Sequence, residues 1–355
     1  VIEIADDADR VAGTTADERV ARVGVLARAL RRPDIGALIG AVAVFLLFAY
    51  TARDVNWVSD GSIISSWVNT AAYVGIVAAP VALLMIGGEF DLSAGVMVGS
   101  SGLLLGLLTT RADWNIWPAI VVVILFGLTV GFLNGYTVVR TKLPSFIVTL
   151  GTFFILRGLN AGGVISLTGT VSIDEIDAAS GFDSARKLFA STIWPQYGLS
   201  VTVVWWLGIT VLAAWLLART RFGNWIFSVG GDPVAARNVG VPVARTKILL
   251  FMMTSTVASL WGIMIAISLR GIQSNEGVGR EFEFIIAAVV GGCLLTGGYG
   301  SVLGAAFGAA ILGMAQIGII VSQWDTNWVF FFEGVVLVLA VMLNTAIRRR
   351  AERSR

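Results

Sequence analysis

Phe222-Gly-Asn-Trp-Ile-Phe-Ser-Val-Gly-Gly-Asp-Pro-Val-Ala-Ala-Arg-Asn-Val-Gly-Val-Pro-Val-Ala-Arg245 is a water-compatible stretch set between two long apolar runs, 197–218 and 247–269. Polar sequence punctuated by Gly and Pro, between runs of the roughly 20 residues needed to cross hydrocarbon, marks the connection between two membrane spans. The connection carries structure of its own. Asp232-Pro233 is a helix start, because Pro suits the first helical turn, and Gly240 is a helix stop. A compact helix and turn on one aqueous face, with no enzyme motif, reads as a docking surface for a separate subunit.

Composition supports the membrane reading. Of 355 residues, 56% are hydrophobic and 14% charged, against about 25% charged in a soluble domain. Apolar runs at 35–50, 70–88, 92–109, 116–137, 145–161, 197–218, 247–269, 283–297, 301–321 and 327–345 give about ten spans. Several are short or interrupted by Gly, which predicts helices that are broken, tilted or buried in the bundle, since lipid does not tolerate unpaired backbone. The expected fold is all-α and polytopic, with short or broken helices and internal pseudo-symmetry.

Basic residues set the orientation. Arg19, Arg22, Arg28, Arg31 and Arg32 precede the first run, Arg140 and Lys142 follow the fourth, Arg219, Arg221, Arg237, Arg245 and Lys247 flank the 219–246 loop, and Arg348 to Arg350 follow the last. Ten spans put all four clusters on one side, the cytoplasm, with both termini inside and loops 51–69 and 162–196 outside. The expected organisation is a cytoplasmic tail at 1–34, disordered over its polar residues 1–18, a transmembrane domain at 35–345 and a basic cytoplasmic tail at 346–355. Residues 28–50 read as a retained first helix rather than a cleaved signal, because no small-residue cleavage site follows them.

Several chemistries are excluded. The chain has no His, which removes His-based acid–base catalysis, His metal sites and Ser-His-Asp triads. It has no Gly-x-x-x-x-Gly-Lys-Ser/Thr loop and so does not hydrolyse ATP in the usual way. Cys293 is its one cysteine and reads as packing. A net charge of +2, distributed by topology, gives no sign of nucleic-acid binding. The expectation is a non-enzyme without metal or cofactor of its own.

Transport, channel and scaffold functions remain. Ion-coupled carriers keep ionisable groups at mid-membrane, whereas Glu89, Asp91, Arg157, Glu281 and Glu283 all fall at expected span ends. The rows Gly127/Gly131/Gly135, Gly300/Gly304/Gly308 and Gly102/Gly106 let helices approach closely, within one subunit or between two. In Gly87-Gly-Glu-Phe-Asp-Leu-Ser-Ala-Gly95, Asp91 or Ser93 can cap a helix, or line the path of a polar solute, or both. Asn134, Thr149 and Thr152 surround a helix start marked by Pro144 and offer uncharged hydrogen-bonding groups of the kind that suit a sugar.

Four ordered blocks carry a resemblance: Gly88-Glu-Phe-Asp-Leu-Ser-Ala-Gly, Asn134-Gly-Tyr-Thr-Val-Val-Arg-Thr-Lys-Leu-Pro-Ser-Phe-Ile-Val-Thr-Leu-Gly-Thr, Gly230-Gly-Asp-Pro-Val-Ala-Ala-Arg-Asn-Val-Gly-Val, and Ala287-Ala-Val-Val-Gly-Gly-Cys-Leu-Leu-Thr-Gly-Gly-Tyr-Gly-Ser-Val-Leu-Gly. From about residue 65 to 345 the chain resembles the ribose/xylose-type permeases of bacterial ABC sugar importers, within the branched-chain-amino-acid/ribose permease superfamily. The resemblance implies a plasma-membrane permease that works with a second permease copy or homologue, cytoplasmic ATPase subunits that bind ATP and Mg, and an extracytoplasmic sugar-binding protein. It implies ATPase docking by Asp232, Ala235, Ala236, Arg237 and Gly240, with alternating access around Asp91, Ser93, Asn134, Thr149 and Thr152. Charge reversal at Arg237 or bulk at Ala236 is then expected to uncouple transport with the fold intact. Two departures stand in the blocks: Glu89-Phe90 where such permeases read Gly-Ile before the Asp, and Pro144-Ser145 where they carry a doubled Pro. The rival readings are a stand-alone secondary carrier or facilitative channel, which moves solute without ATP, and a scaffold or sensor, which binds a partner without flux.

Overall fold

The computed structural model describes the backbone of residues 33–353 and the side chains of 34–342. The expected tail at 1–34 lies outside the described residues except for its last two, as do the side chains of 346–355.

Eight described helices are long and apolar enough to cross a membrane. They are α1 (Pro33–Thr51), α2 (Gly61–Ile86), α3 (Ser93–Thr110), α4 (Ile116–Thr141), α5 (Ser145–Thr168), α7 (Thr202–Arg219), α10 (Val243–Leu269) and α12 (Val302–Val321). Shorter helices stand between them: α6 (Phe182–Phe189), α8 (Arg221–Gly231), α9 (Pro233–Asn238) and α11 (Arg280–Val290). Helix α13 (Trp328–Arg353) closes the chain, apolar over Trp328–Met342. The protein is therefore an all-α, multi-pass membrane protein. Among the described residues the little sheet is two antiparallel pairs, β1 (Ser172–Ile173) with β4 (Ile272–Gln273) and β2 (Thr192–Trp194) with β3 (Leu199–Ser200).

Helix α2 is the axis of the bundle, buried from Ala71 to Ile86 apart from Tyr73. Helix α1 lies outside and exposes Leu38, Ile39, Val42 and Leu46, the apolar surface expected against lipid. The glycine rows pack within this one chain. A Cβ on Gly131 or Gly135 would press on Met252 or Ile248 of α10, and one on Gly304 or Gly308 would overlap the Gly291 or Ala287 carbonyl of α11.

The bundle has two unlike ends. At one, the end of α2, the 291–301 linker and the end of α8 meet. At the other, Asn115 bonds Ser180 (3.2 Å), Asn69 bonds the Gly198 carbonyl (2.9 Å) and β1 pairs with β4. Trp114, Trp117, Trp194, Trp324 and Trp328 are exposed in or beside the connections at this second end, as interfacial aromatics are.

The ends of α2 and α11 close with the same backbone pattern, a common glycine C-terminal turn. At the end of α2, Gly87 N–H donates to Leu83, Gly88 to Met85 and Glu89 to Leu84; at the end of α11, Gly291 donates to Ala287, Gly292 to Val289 and Cys293 to Ala288. The second glycine of each pair takes positive φ, +83° at Gly88 and +94° at Gly292, which only glycine adopts freely.

Two expected spans change shape. The run at 145–161 extends to Thr168 through a π-helical turn, Leu159–Gly163, inside α5. The run at 283–297 is an 11-residue helix that stops at Val290, roughly 16 Å long and too short to span. The chain before it descends along the face of α3: Cβ atoms on Gly102, Gly99 and Gly95 would press on Ile272, the Glu276 carbonyl and Glu281 in turn. Gly99 and Gly95 stand roughly 16–22 Å along α3 from its far end. Glu281 and Glu283 thus do not stand at the surface end of a span, as the apolar run implied, but at the recessed start of a half-helix.

Candidate functional site

The 219–246 connection folds as two short helices. Thr220 caps α8 by accepting from Gly223 N–H (3.1 Å), and Asp232 caps α9 by accepting from Val234 N–H (2.8 Å) and Ala235 N–H (3.0 Å), with Pro233 in the first turn. Gly240 ends the unit at φ +86°. Asp232, Ala235, Arg237 and Gly240 are exposed, and so are Val234 and Val239. Ala236 is not exposed. It is buried with Val229, Val241 and Val243, so bulk there acts on this small core first, and the expectation of an intact fold for such a variant is corrected. The free apolar contacts on α9 are Val234 and Val239, which sequence reasoning missed.

Backbone joins this unit to the bundle. A Cβ on Gly230, at the end of α8, would overlap the Ile86 carbonyl and press on Gly298 N. Gly298 N–H itself donates to the Ile86 carbonyl (2.8 Å), and a Cβ on Gly297 would press on Gly88 Cα. The ends of α2 and α8 and the 291–301 linker therefore meet at glycines with no side chain between them. Lys247, on the first turns of α10, forms an ion pair with Glu89, and both side chains are largely withdrawn from solvent.

Beyond Glu89 the linker enters a polar network that collects all five residues expected around the path. Asp91 accepts from Ser93 N–H (2.9 Å) and Ser93 Oγ (2.5 Å); Asn134 Nδ2 donates to Ser93 Oγ (3.0 Å); Thr152 Oγ1 donates to Asn134 Oδ1 (2.6 Å). Thr149 Oγ1 accepts from Leu92 N–H (3.1 Å). Sequence reasoning missed two members. Ser255 of α10 reaches Asp91 Oδ2 (3.5 Å), and Ser145 Oγ accepts from Phe90 N–H (3.1 Å). The two departures in the sequence blocks thus meet in space: the backbone N–H of Phe90 is held by the Ser145 hydroxyl that stands in place of the second Pro.

Asp91, Ser93, Asn134 and Thr149 are buried and Thr152 half-buried. Their polar atoms satisfy one another, as buried polar groups must. The network ties α3, α4, α5 and α10 together. Among the described residues, no three of His, Cys, Asp or Glu gather as a metal site.

Comparison with known proteins places this architecture among transport permeases. The family described as branched-chain amino acid transport system / permease component matches residues 63–341. The autoinducer 2 import system permease protein LsrC of Escherichia coli O9:H4 is 31% identical over 323 residues, covering 90% of this chain and 89% of that protein. The xylose transport system permease protein XylH of Escherichia coli K12 is 29% identical over 376 residues, covering 90% and 93%. No solved structure matches.

Proposed function

This chain belongs to the family of branched-chain amino acid transport system permease components, and on that premise we propose that it is the transmembrane permease subunit of an ATP-driven ABC importer for a monosaccharide or related polyol. The substrate class follows its likeness to a xylose and an autoinducer 2 permease along nearly the whole chain. The chain works beside a second permease, either its own copy or a homologue, with ATP and Mg bound by cytoplasmic ATPase subunits and sugar delivered by an extracytoplasmic binding protein. It sits in the bacterial inner membrane with the α8–α9 end, and both termini, in the cytoplasm.

The observation that carries the coupling role is α9 itself, a capped helix with exposed Val234, Arg237 and Val239, tied by glycine-to-backbone contact to the linker that leads into the Asp91 network. Docking and closure of the ATPase pair push α9. Gly230 passes the displacement to the ends of α2 and the 291–301 linker without a compressible side chain between. The Asp91–Ser93–Asn134–Thr152 chain then breaks as α3, α4 and α5 shift, and the solute crosses.

Affinity purification from the native membrane in mild detergent, with mass spectrometry of what accompanies the chain and ATP-dependent sugar uptake by the recovered complex, tests the proposal. A near-stoichiometric ATPase and ATP-dependent uptake are expected. Solute flux by the chain alone without ATP would replace the importer with a carrier or channel.

A further inference from the structure

Away from the Asp91 network, toward the opposite end of the bundle, lies a cavity of about 170 Å³. It is lined by α2, α3, α7, α10 and the descending chain that starts α11, with Thr202, Ser268 and Leu269 at helix ends. Its wall includes a stacked aromatic pair, Tyr73 and Trp261, with ring centroids 4.8 Å apart and planes 29° from parallel. Glu276 and Arg280 also line the cavity. Arg280 is held by two bonds to Glu283 (2.9 and 2.8 Å), and Glu283 accepts from Gln316 (3.3 Å), which fixes the guanidinium at the cavity. The half-buried Glu276 carboxylate has no hydrogen-bond or ion-pair partner among the described residues.

The contents of this wall point to one kind of ligand. An aromatic face attracts the partly positive C–H edge of a saturated ring. An unpaired carboxylate accepts strong charge-assisted bonds from neighbouring hydroxyls, and the donors of Arg280 not used by Glu283 offer the complement to ring and hydroxyl oxygens. Apolar walls with a few fixed polar groups are the pattern of small-molecule sites, and the volume is well below the roughly 300 Å³ at which sites for drug-sized ligands begin. It suits one small ring.

We propose that this cavity is a monosaccharide site of the permease chain itself, in which the sugar packs on the Tyr73–Trp261 pair and donates hydroxyl hydrogen bonds to Glu276. The choice of ligand rests on the importer reading above; the cavity and its chemistry do not. The chain then has its own selectivity for substrate at the far end of the bundle, recessed from the surface where a binding protein docks.

The test is binding of radiolabelled D-xylose, D-ribose and D-glucose to the full chain, with its recovered partners, in nanodiscs. At least one sugar is expected to bind saturably, and the disaccharide maltose is expected not to compete. Glu276→Gln is expected to weaken binding about tenfold, the worth of one charge-assisted hydrogen bond, and Trp261→Ala by at least as much. Glu276→Gln is the decisive variant, because it removes charge without volume at a side chain that holds nothing else in place. Unchanged binding in that variant, or no saturable binding of any of the three sugars, overturns the site. Unchanged ATP-dependent uptake by the Glu276→Gln complex overturns the site and leaves the importer reading standing. Saturable, Glu276-dependent binding without ATP-dependent uptake retains the site and overturns the importer.

Discussion

Lys247 and Glu89 have side chains only 19% and 8% exposed, and each is the other's counter-charge. Removing one member of such a pair leaves an uncompensated buried charge, at a cost of about 3–5 kcal/mol. Glu89→Ala is therefore expected to lower thermal stability sharply in detergent, and the added change Lys247→Met is expected to recover most of the loss. A double variant no more stable than Glu89→Ala would show that the pair is not the cause. Asn134 is the second residue on which much depends, since its amide serves Ser93 and Thr152 at once. Asn134→Ala is expected to cost about 1–3 kcal/mol for each partner left unsatisfied in the interior, measurable by tryptophan-monitored unfolding. The membership of this network was legible in the sequence as polar residues at the ends of apolar runs. The partners Ser255 and Ser145 were not, because a lone Ser in a helix carries no mark of what it faces until the helices are packed.

At the scale of the element, α9 and α11 behave in opposite ways. Helix α9 was readable residue by residue because its signals are local: Asp232 caps, Pro233 starts and Gly240 stops. What local signals did not fix is which side of so short a helix faces inward, and Ala236 proved to be the buried one. Two variants separate the roles. Arg237→Glu, on the free side, is expected to reduce ATP-driven uptake about tenfold or more, as loss and reversal of a charged contact would, with unchanged thermal stability. Ala236→Leu is expected to lower stability by about 1–3 kcal/mol through overpacking. Equal stability of the two proteins would contradict the assigned orientation. Helix α11, by contrast, has the composition of an ordinary span. Its break falls at the Gly291–Gly292 turn, with Gly292 at φ +94° and Gly291 against the backbone of Gly304 and Ala305. No reading of apolar length distinguishes that from a continuous helix.

Across the whole molecule, the matching turns at Gly87–Gly88 and Gly291–Gly292 are joined through Gly230, Gly297 and Gly298. A methyl group at Gly230 has backbone on both sides and nowhere to go. Gly230→Ala is expected to destabilise the bundle by about 1–3 kcal/mol or to move both linkers together, read as a lower unfolding temperature with reduced uptake. Wild-type unfolding and uptake in that variant would remove the junction from the coupling route. The half-helix has a consequence for how the protein is made. At 11 residues, with Arg280, Glu281 and Glu283 in its first four positions, α11 is too short to be inserted as an independent span, and its charges oppose entry into lipid. It enters a bundle already furnished by α2 and α3, and α12, synthesised after it, then lays Gly304 and Gly308 against it. A nascent chain halted before α12 is thus expected to expose Cys293 to a membrane-impermeant thiol reagent, while the completed chain, which buries that thiol, protects it: the order of synthesis and the order of assembly differ at this one segment.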